Sequence, residues 1–349
     1  MQPLPLAGEH EALGATWGDV GGWRAPLHYG DPAAEQRAAR AAAAVLDRSM
    51  RARIDVRGPD ALTFLDGVLT NDLKTLEKGH GFYALTLDHR GRIHGAYSVF
   101  SGGGEYLLES EPDAERRALA YLERLVVSED VALTDATLRT ASLAFLGPGS
   151  AGLVGGLLGT AAPAEPYAFV AVPGRPGWTV ARIPDFGGDA FEVWVPPDEA
   201  AELLRRAREG GARPIGAIAA DALRVEAGRP AFPADLNEET LALEAPIEGA
   251  ISLTKGCYVG QEAVSRATYV GQVNRLLIGF EVESEVPPDP GAEILFEGRV
   301  VGRVTSAVRS AHLGKTIGLG YVRRELAEPG TPVGVGEFAA RIAALPFVR

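Results

Sequence analysis

Arg51-Ala52-Arg53-Ile54-Asp55-Val56, closed off by Gly58-Pro59, is the stretch on which the reading of the fold turns. Polar and apolar residues alternate along it with a period of two, which predicts a half-buried strand ended by the Gly-Pro pair. From Pro59 to Val68 the period changes, and Ala61, Leu62, Phe64, Leu65 and Val68 share one broad apolar face of a helix. Gly81 to Leu87 and Arg92 to Phe100 are strand-like and flank Asp88-His89-Arg90-Gly91, a turn that predicts a hairpin. Tyr106-Leu107-Leu108-Glu109 then precedes a helix from about Pro112 to Leu125. Strand, helix, hairpin, strand and helix in this order predict an α+β ferredoxin-like domain with an antiparallel sheet over residues 51–134.

Upstream, residues 31–48 read as a helix, with Asp31 as N-cap and Pro32 at the first helical position. Downstream, the Gly-, Pro- and Ala-rich residues 147–177 contain a loop or boundary. Phe191 to Val195 is a strand, and Asp198 to Glu209 is a helix rich in paired charges. Short apolar runs at Arg275 to Val282, Ala292 to Phe296, Val300 to Val308, Thr316 to Val322 and Phe338 to Ala343 are separated by Gly and Pro. That spacing predicts a small C-terminal β-barrel or sandwich over residues 271–349. Ser101-Gly102-Gly103-Gly104 lies between strands and opens no helix, so it reads as a hairpin tip rather than a phosphate loop.

Of the 349 residues, 46% are hydrophobic and 23% charged, which fits a chain folded throughout in two or three domains. A net charge of -12 argues against a broad electrostatic grip on nucleic acid or an anionic membrane. The N-terminus lacks the pattern of a signal peptide, and no segment is apolar enough to span a bilayer, so a cytoplasmic protein is expected. One cysteine and six scattered histidines give no internal disulfide and no recognisable metal-ligand spacing. A self-sufficient iron-sulfur cluster, which needs about four thiolates, is not expected either.

The single cysteine sits in Lys255-Gly256-Cys257-Tyr258-Val259-Gly260-Gln261-Glu262. A nearby ammonium from Lys255, or charge from Arg266, would favour the thiolate, and the two glycines permit tight turns. Cys257 is then a candidate functional thiol assisted by Lys255. The alternative is a buried thiol that packs as a small hydrophobe.

This eight-residue run resembles the defining motif of the YgfZ family, whose members assist iron-sulfur proteins. Leu223-Arg224-Val225-Glu226-Ala227-Gly228 resembles a segment shared with the T protein of the glycine cleavage system, a tetrahydrofolate-dependent aminomethyltransferase. Gly21-Gly22-Trp23, Asp47-Arg48-Ser49-Met50, Thr70-Asn71-Asp72-Leu73 and Tyr83 to Gly91 follow in the T-protein order. The resemblance implies a three-domain ring around a folate pocket. Its first α+β part is discontinuous, formed by residues 1–50 and about 135–270, and its last is the C-terminal barrel.

A reduced folate needs an apolar or aromatic surface for its pterin, polar partners for the pterin edge and a cation near its carboxylate tail. The resemblance makes Arg224, Tyr83, Asn71 and Glu226 candidates. Arg224 could equally pair with a carboxylate on its helix, and Asn71 could cap a turn. Two departures from the T protein stand out. Gly95-Ala96 occupies the place of an Asp-Asp pair needed for aminomethyl transfer, with Asp88 and His94 as conceivable substitutes. Gly188 occupies the place of a pterin-contacting Glu, with Asp189 next to it as the substitute. The expectation is therefore a folate-binding accessory protein for iron-sulfur enzymes, acting with client or assembly proteins through Cys257. The alternative is a tetrahydrofolate-dependent aminomethyltransferase.

Overall fold

A computed structural model describes residues 1–112, 114–245 and 247–348, apart from the side chains of 114–116. The chain forms two compact units. One comprises Met1–Leu65, Leu73–Tyr83 and Tyr97–Ala220, and the other Asp66–Asp72, Ala84–Ala96 and Asp221–Arg349.

In the first unit, a six-stranded sheet runs in the order Phe169–Ala171, Thr179–Arg182, Ala190–Val195, Ala141–Leu146, Ala44–Asp47, Arg213–Pro214. All its neighbours are antiparallel except the last pair. Leu143, Phe145, Phe191 and Val193 pack one face of this sheet against Val154 of helix Ser150–Leu158 and Leu203 and Leu204 of helix Ala200–Glu209. A five-stranded sheet has the order Gly81–Leu87, Ile93–Ser101, Tyr106–Ser110, Ala52–Arg57, Ala132–Asp135. The strand read from residues 51–56, the helix Ala61–Val68 and the hairpin all form. The glycine run closes a strand-to-strand turn, with the Gly102 N–H donating to the Glu105 carbonyl at 2.7 Å.

The expected helix over 31–48 is shorter than predicted. Asp31 does cap it, accepting from the Ala33 N–H at 2.9 Å, but the helix ends at Ala41 and Ala44–Asp47 is a strand. All four strand residues are buried. An apolar run covered on both faces fits a central strand better than a one-sided helix, and this tertiary demand overrides the helical propensity of the alanines. In the Gly-rich region the helix Ser150–Leu158 was not anticipated, because glycines 152, 155 and 156 disguise its propensity.

In the second unit, six antiparallel strands close a barrel in the order Arg275–Val282, Lys315–Arg323, Arg299–Ser310, Glu293–Phe296, Pro332–Val335, Phe338–Ala343. The architecture is thus α+β with antiparallel sheets and a C-terminal barrel, as expected. Pro332–Val335 is the strand the sequence concealed, since Pro332 and Gly334 are half of its four residues. Phe280, Ile294, Val304 and Val322 fill the barrel. Gly318 faces that filling, where a Cβ would lie 2.4 Å from the Phe280 ring. Among the described residues, no helix is long and apolar enough to cross a membrane.

Gly318→Ala should overpack the barrel and cost about 1–3 kcal/mol in urea denaturation. An unchanged midpoint would contradict the packing described.

Candidate functional site

The first unit contains a buried charge cluster. Arg51 immediately precedes the strand Ala52–Arg57, and Arg53 within it pairs in register with Glu109 on the neighbouring strand. Glu109 accepts from Arg51 Nε at 2.8 Å and from Arg53 Nε at 3.1 Å, while Arg48 Nη2 lies 3.5 Å away. Arg48 Nη2 also donates to Asp185 at 2.8 Å, and its Nε stands 3.4 Å from Glu192. Arg51 Nη1 reaches Glu111 at 2.6 Å. Arg53 Nη1 donates to the Thr137 and Thr140 carbonyls at 3.0 and 3.1 Å. Glu192 accepts from the Ser142 hydroxyl and from Trp194 Nε1.

The two central carboxyls are tuned in opposite directions. Burial pushes Glu109 up, but Arg51, Arg53 and Arg48 outweigh it and hold the group below the usual carboxylate range. Burial prevails at Glu192, assisted by Glu109, and keeps that carboxyl above the usual range despite Arg48 and Arg53. The sequence disguised this cluster. A polar-apolar alternation implies a solvated polar face, yet Arg53 is 1% exposed. The available signal was arginine twice on one face of a strand followed by Glu109 on the next predicted strand.

Tyr83 is half-buried in this unit. Burial holds its hydroxyl pKa well above the usual phenol range, with Tyr167, Glu111 and Asp185 adding to the effect and Arg51 opposing it, so the group is a proton donor. Asp189 is partly exposed, with its side chain 38% accessible. It pairs with Arg182 Nη2 at 2.8 Å. Gly188 is exposed.

Arg224 and Glu226 end the helix Ala217–Glu226 and belong to the second unit. The Arg224 guanidinium donates to Asp221 at 2.7 Å, Asp235 at 2.5 Å, Ser306 Oγ at 2.7 Å and the Arg229 carbonyl at 3.1 Å. Burial opposes its charge, but Asp235 and Asp221 outweigh that and hold its pKa above the usual arginine value. These bonds follow the structural alternative, a helix-face ion pair extended to the barrel residue Ser306. Glu226 is fully buried and accepts from the Ser310 hydroxyl at 2.5 Å. Asp235 accepts from Ser306 at 2.8 Å and from Thr305, so this polar layer joins the helix to the barrel wall.

Lys255 has a different task from the one expected beside a thiol. Its buried Nζ donates to the carbonyls of Asp66, Leu69 and Asn71 at 2.7, 2.8 and 2.7 Å and lies 3.3 Å from Asp66 Oδ1. The ammonium therefore caps the end of helix Ala61–Val68, where carbonyls lack intrahelical partners. Asn71 joins it, with Nδ2 donating to the Gly249 carbonyl at 2.7 Å and Oδ1 accepting from the Asp72 N–H at 2.9 Å. Beyond the cysteine, the buried Tyr258 ring lies 5.3 Å from Lys255 Nζ, and the Val259 N–H donates to the Gly67 carbonyl at 3.0 Å. Burial pushes the Tyr258 hydroxyl up to about 12. Gly260 has φ +86°, and a Cβ there would stand 2.5 Å from the Asp88 carbonyl, so only glycine fits the turn into helix Gln261–Tyr269. Cys257 is exposed between these anchors, which removes the buried-thiol alternative.

Gly95 and Ala96 are both buried and present no carboxylate. Asp88 Oδ1 accepts from the Arg90 and Arg92 N–H groups at 2.8 and 2.9 Å, which is turn chemistry, and His94 lies 3.7 Å from Glu238. Among the described residues, no three His, Cys, Asp or Glu side chains converge as a metal site.

Residues 6–255 match the family model described as the GCVT N-terminal domain, and residues 275–348 match the glycine cleavage T-protein C-terminal barrel domain. The chain belongs to the glycine cleavage T-protein family. It is 37% identical to an aminomethyltransferase of Rubrobacter xylanophilus over 100% of this chain and 95% of that protein. It is 36% identical to one of Thermus thermophilus over 100% and 99%. The crystal structure of glycine cleavage system aminomethyltransferase T from Bartonella henselae superposes with a TM-score of 0.92 at 26% identity, over 99% of this chain and 98% of that one. These likenesses establish the broad family and leave the YgfZ-type resemblance as a finer reading; Cys257 itself falls between the two matched spans.

Lys255→Met should cost about 3 kcal/mol in chemical denaturation, because it strands buried carbonyls and the Asp66 carboxylate. A loss below about 0.5 kcal/mol, the scale of an ordinary surface substitution, would contradict the capping role. The two cluster carboxyls should separate by pH. Glu109 has a depressed folded pKa, so its contribution is present above about pH 4.3 and fades as pH falls through the folded value. Glu109→Gln should therefore destabilise most at pH 7, and its difference from wild type should narrow toward pH 3. Glu192 is raised, so its contribution is present at low pH and lost as pH rises through its folded value. Glu192→Gln should cost less than Glu109→Gln at pH 7; equal costs there would contradict the opposed tuning.

Proposed function

We propose that this chain binds tetrahydrofolate or a derivative of it and acts as a folate-dependent protein of the aminomethyltransferase type. Similarity along the whole chain to a protein named aminomethyltransferase carries the reading. The chemistry of the first unit's side chains fits such a ligand. Phe186 is a buried aromatic with the Arg48 guanidinium carbon 5.3 Å from its ring centre. Tyr83 offers a protonated hydroxyl. Arg48 Nη1 is a buried donor with no hydrogen-bond acceptor among the described residues. Aromatic surface beside a buried donor is what a pterin ring requires. When bound, the reduced folate supplies the nitrogen that accepts a one-carbon unit. The protein's part is to orient it: Tyr83 donates a hydrogen bond, and Arg48 fixes the position of its acceptor edge.

A second reading is favoured by one specific observation. Buried Gly95 and Ala96 provide no acid where transfer chemistry calls for one, while Cys257 stands exposed on a segment anchored on both sides. In that reading the chain is a cytoplasmic folate-binding accessory protein of YgfZ type. It supports assembly or repair of iron-sulfur enzymes through Cys257 and takes client or assembly proteins as partners.

An assay with aminomethylated lipoyl carrier protein and tetrahydrofolate separates the two. Turnover comparable with a related aminomethyltransferase is expected from the first reading, and folate binding without turnover from the second. In cells lacking the protein, Cys257→Ser should then fail to restore iron-sulfur enzyme activity; full rescue removes the role given to the thiol.

A further inference from the structure

His10 is a buried polar group outside the arginine cluster. It lies on the short helix Ala7–Ala12, and its side chain is 2% exposed. Both ring nitrogens are engaged: Nε2 lies 2.8 Å from Asp47 Oδ2 and Nδ1 2.8 Å from the Tyr29 hydroxyl, with the Trp17 ring edge-on at 6.1 Å. A carboxylate only accepts, so the ring proton sits on Nε2 and the phenol donates to Nδ1. Burial first, then Asp47 and Glu35, hold the Tyr29 hydroxyl well above the usual phenol range, so it keeps its proton. Tyr29 is fixed in turn through its N–H, which donates to Glu35 Oε1 at 2.6 Å, while Glu35 Oε2 accepts from the Gly216 N–H at 2.9 Å.

The other oxygen of Asp47 acts locally. Oδ1 accepts from the Ser49 N–H at 2.8 Å, a side-chain turn that closes around Arg48. The Arg48 N–H donates to the Ser142 carbonyl at 2.8 Å, the Ser142 N–H to Ser49 Oγ at 3.1 Å and the Arg51 N–H to the Arg48 carbonyl at 2.9 Å. Arg48 therefore leaves a turn that has little freedom, and its Nη1 has no acceptor among the described residues. Replacing both members of a buried hydrogen-bonded pair by apolar groups of the same shape can be nearly neutral for stability, so the consequence of the His10–Asp47 pair is geometric.

We propose that His10 is a positioning residue for ligand binding: by holding Asp47 Oδ2 it fixes the turn from which Arg48 presents Nη1 to the bound pterin. This assignment rests on the folate reading and deepens it. His10 touches no ligand and acts through Asp47 on Arg48. Tyr29 keeps the imidazole in the tautomer that faces its proton to Asp47, and Glu35 keeps Tyr29 in place. The donor is thus set from two sides. Glu109 and Glu192 hold the guanidinium, and the chain of His10 and Asp47 holds the backbone that carries it.

The test is calorimetric titration of wild type, His10→Gln, His10→Asn and Tyr29→Phe with two probes. One is 5-formyltetrahydrofolate, and the other is p-aminobenzoylglutamate, which has the tail but no pterin. Glutamine can place a donor where Nε2 stands and so keep Asp47. Asparagine reaches only as far as Nδ1, which keeps Tyr29 and loses Asp47. His10→Gln should bind the pterin probe within about threefold of wild type, and His10→Asn about 10–100-fold more weakly, the value of a hydrogen bond to a charged group, with the tail probe unchanged. In an Arg48→Lys background, which lacks Nη1, His10→Asn should cost no further affinity. Tyr29→Phe removes only the hydroxyl that orients the ring and should weaken the pterin probe in the same sense, so it carries the test if His10→Asn does not fold. Wild-type affinity for the pterin probe in the variant that carries the test overturns the inference while the folate reading stands. A loss in His10→Gln equal to that in His10→Asn also overturns it, as does a loss that persists in the Arg48→Lys background or an equal loss for both probes, which marks a merely structural effect. No saturable binding of the pterin probe to wild type overturns the folate reading itself.

Discussion

The contact between the Glu109 carboxylate and the arginines on and just before the neighbouring strand Ala52–Arg57 is the constraint on which the first unit depends. Three guanidinium groups and two carboxylates are removed from water there, and such a set persists only when each charge is closely paired. Register does the pairing. Arg53 stands opposite Glu109, Arg51 reaches the same carboxylate from just before the strand, and Arg48 extends toward both Glu109 and Glu192. The cluster is therefore a consequence of the sheet, and a one-residue slip would turn its members to the other face.

The second unit uses polar groups differently. Its Lys255 ammonium satisfies three carbonyls and so holds the ends of two segments separated by more than 180 residues in sequence. The Tyr258 ring and Gly260 complete the hold, and the exposed thiol of Cys257 lies between Lys255 and these two anchors. Arg224 and Asp235 do the corresponding work against the barrel. Lys255, read from sequence as a partner of the thiol, and Arg224, read as a folate contact or a helix-face pair, are both occupied by the protein's own groups.

That difference marks how far the sequence carries. The barrel strands Arg275–Val282 and Phe338–Ala343 were legible to the residue, because antiparallel strands punctuated by Gly and Pro leave a local signature. The relation to the T protein was legible too, from short motifs in order. The helix at 31–48 was half legible: its cap is local, but its end is imposed by the sheet that claims Ala44–Asp47. The roles of Lys255 and Asp189 were not legible, since each is decided by which partner lies within hydrogen-bond reach, whereas the Arg224–Asp221 helix-face pair was one of the two readings its sequence allowed. For Lys255 those partners are backbone carbonyls, which carry no side-chain identity to read. Arg48, quoted only as part of a motif, becomes the informative residue because of one unspent nitrogen.

A crystal structure of the protein with 5-formyltetrahydrofolate tests the account most directly. The account predicts the pterin within hydrogen-bond distance of Tyr83 and Arg48 Nη1. A pterin bound with both of those side chains out of reach would contradict it.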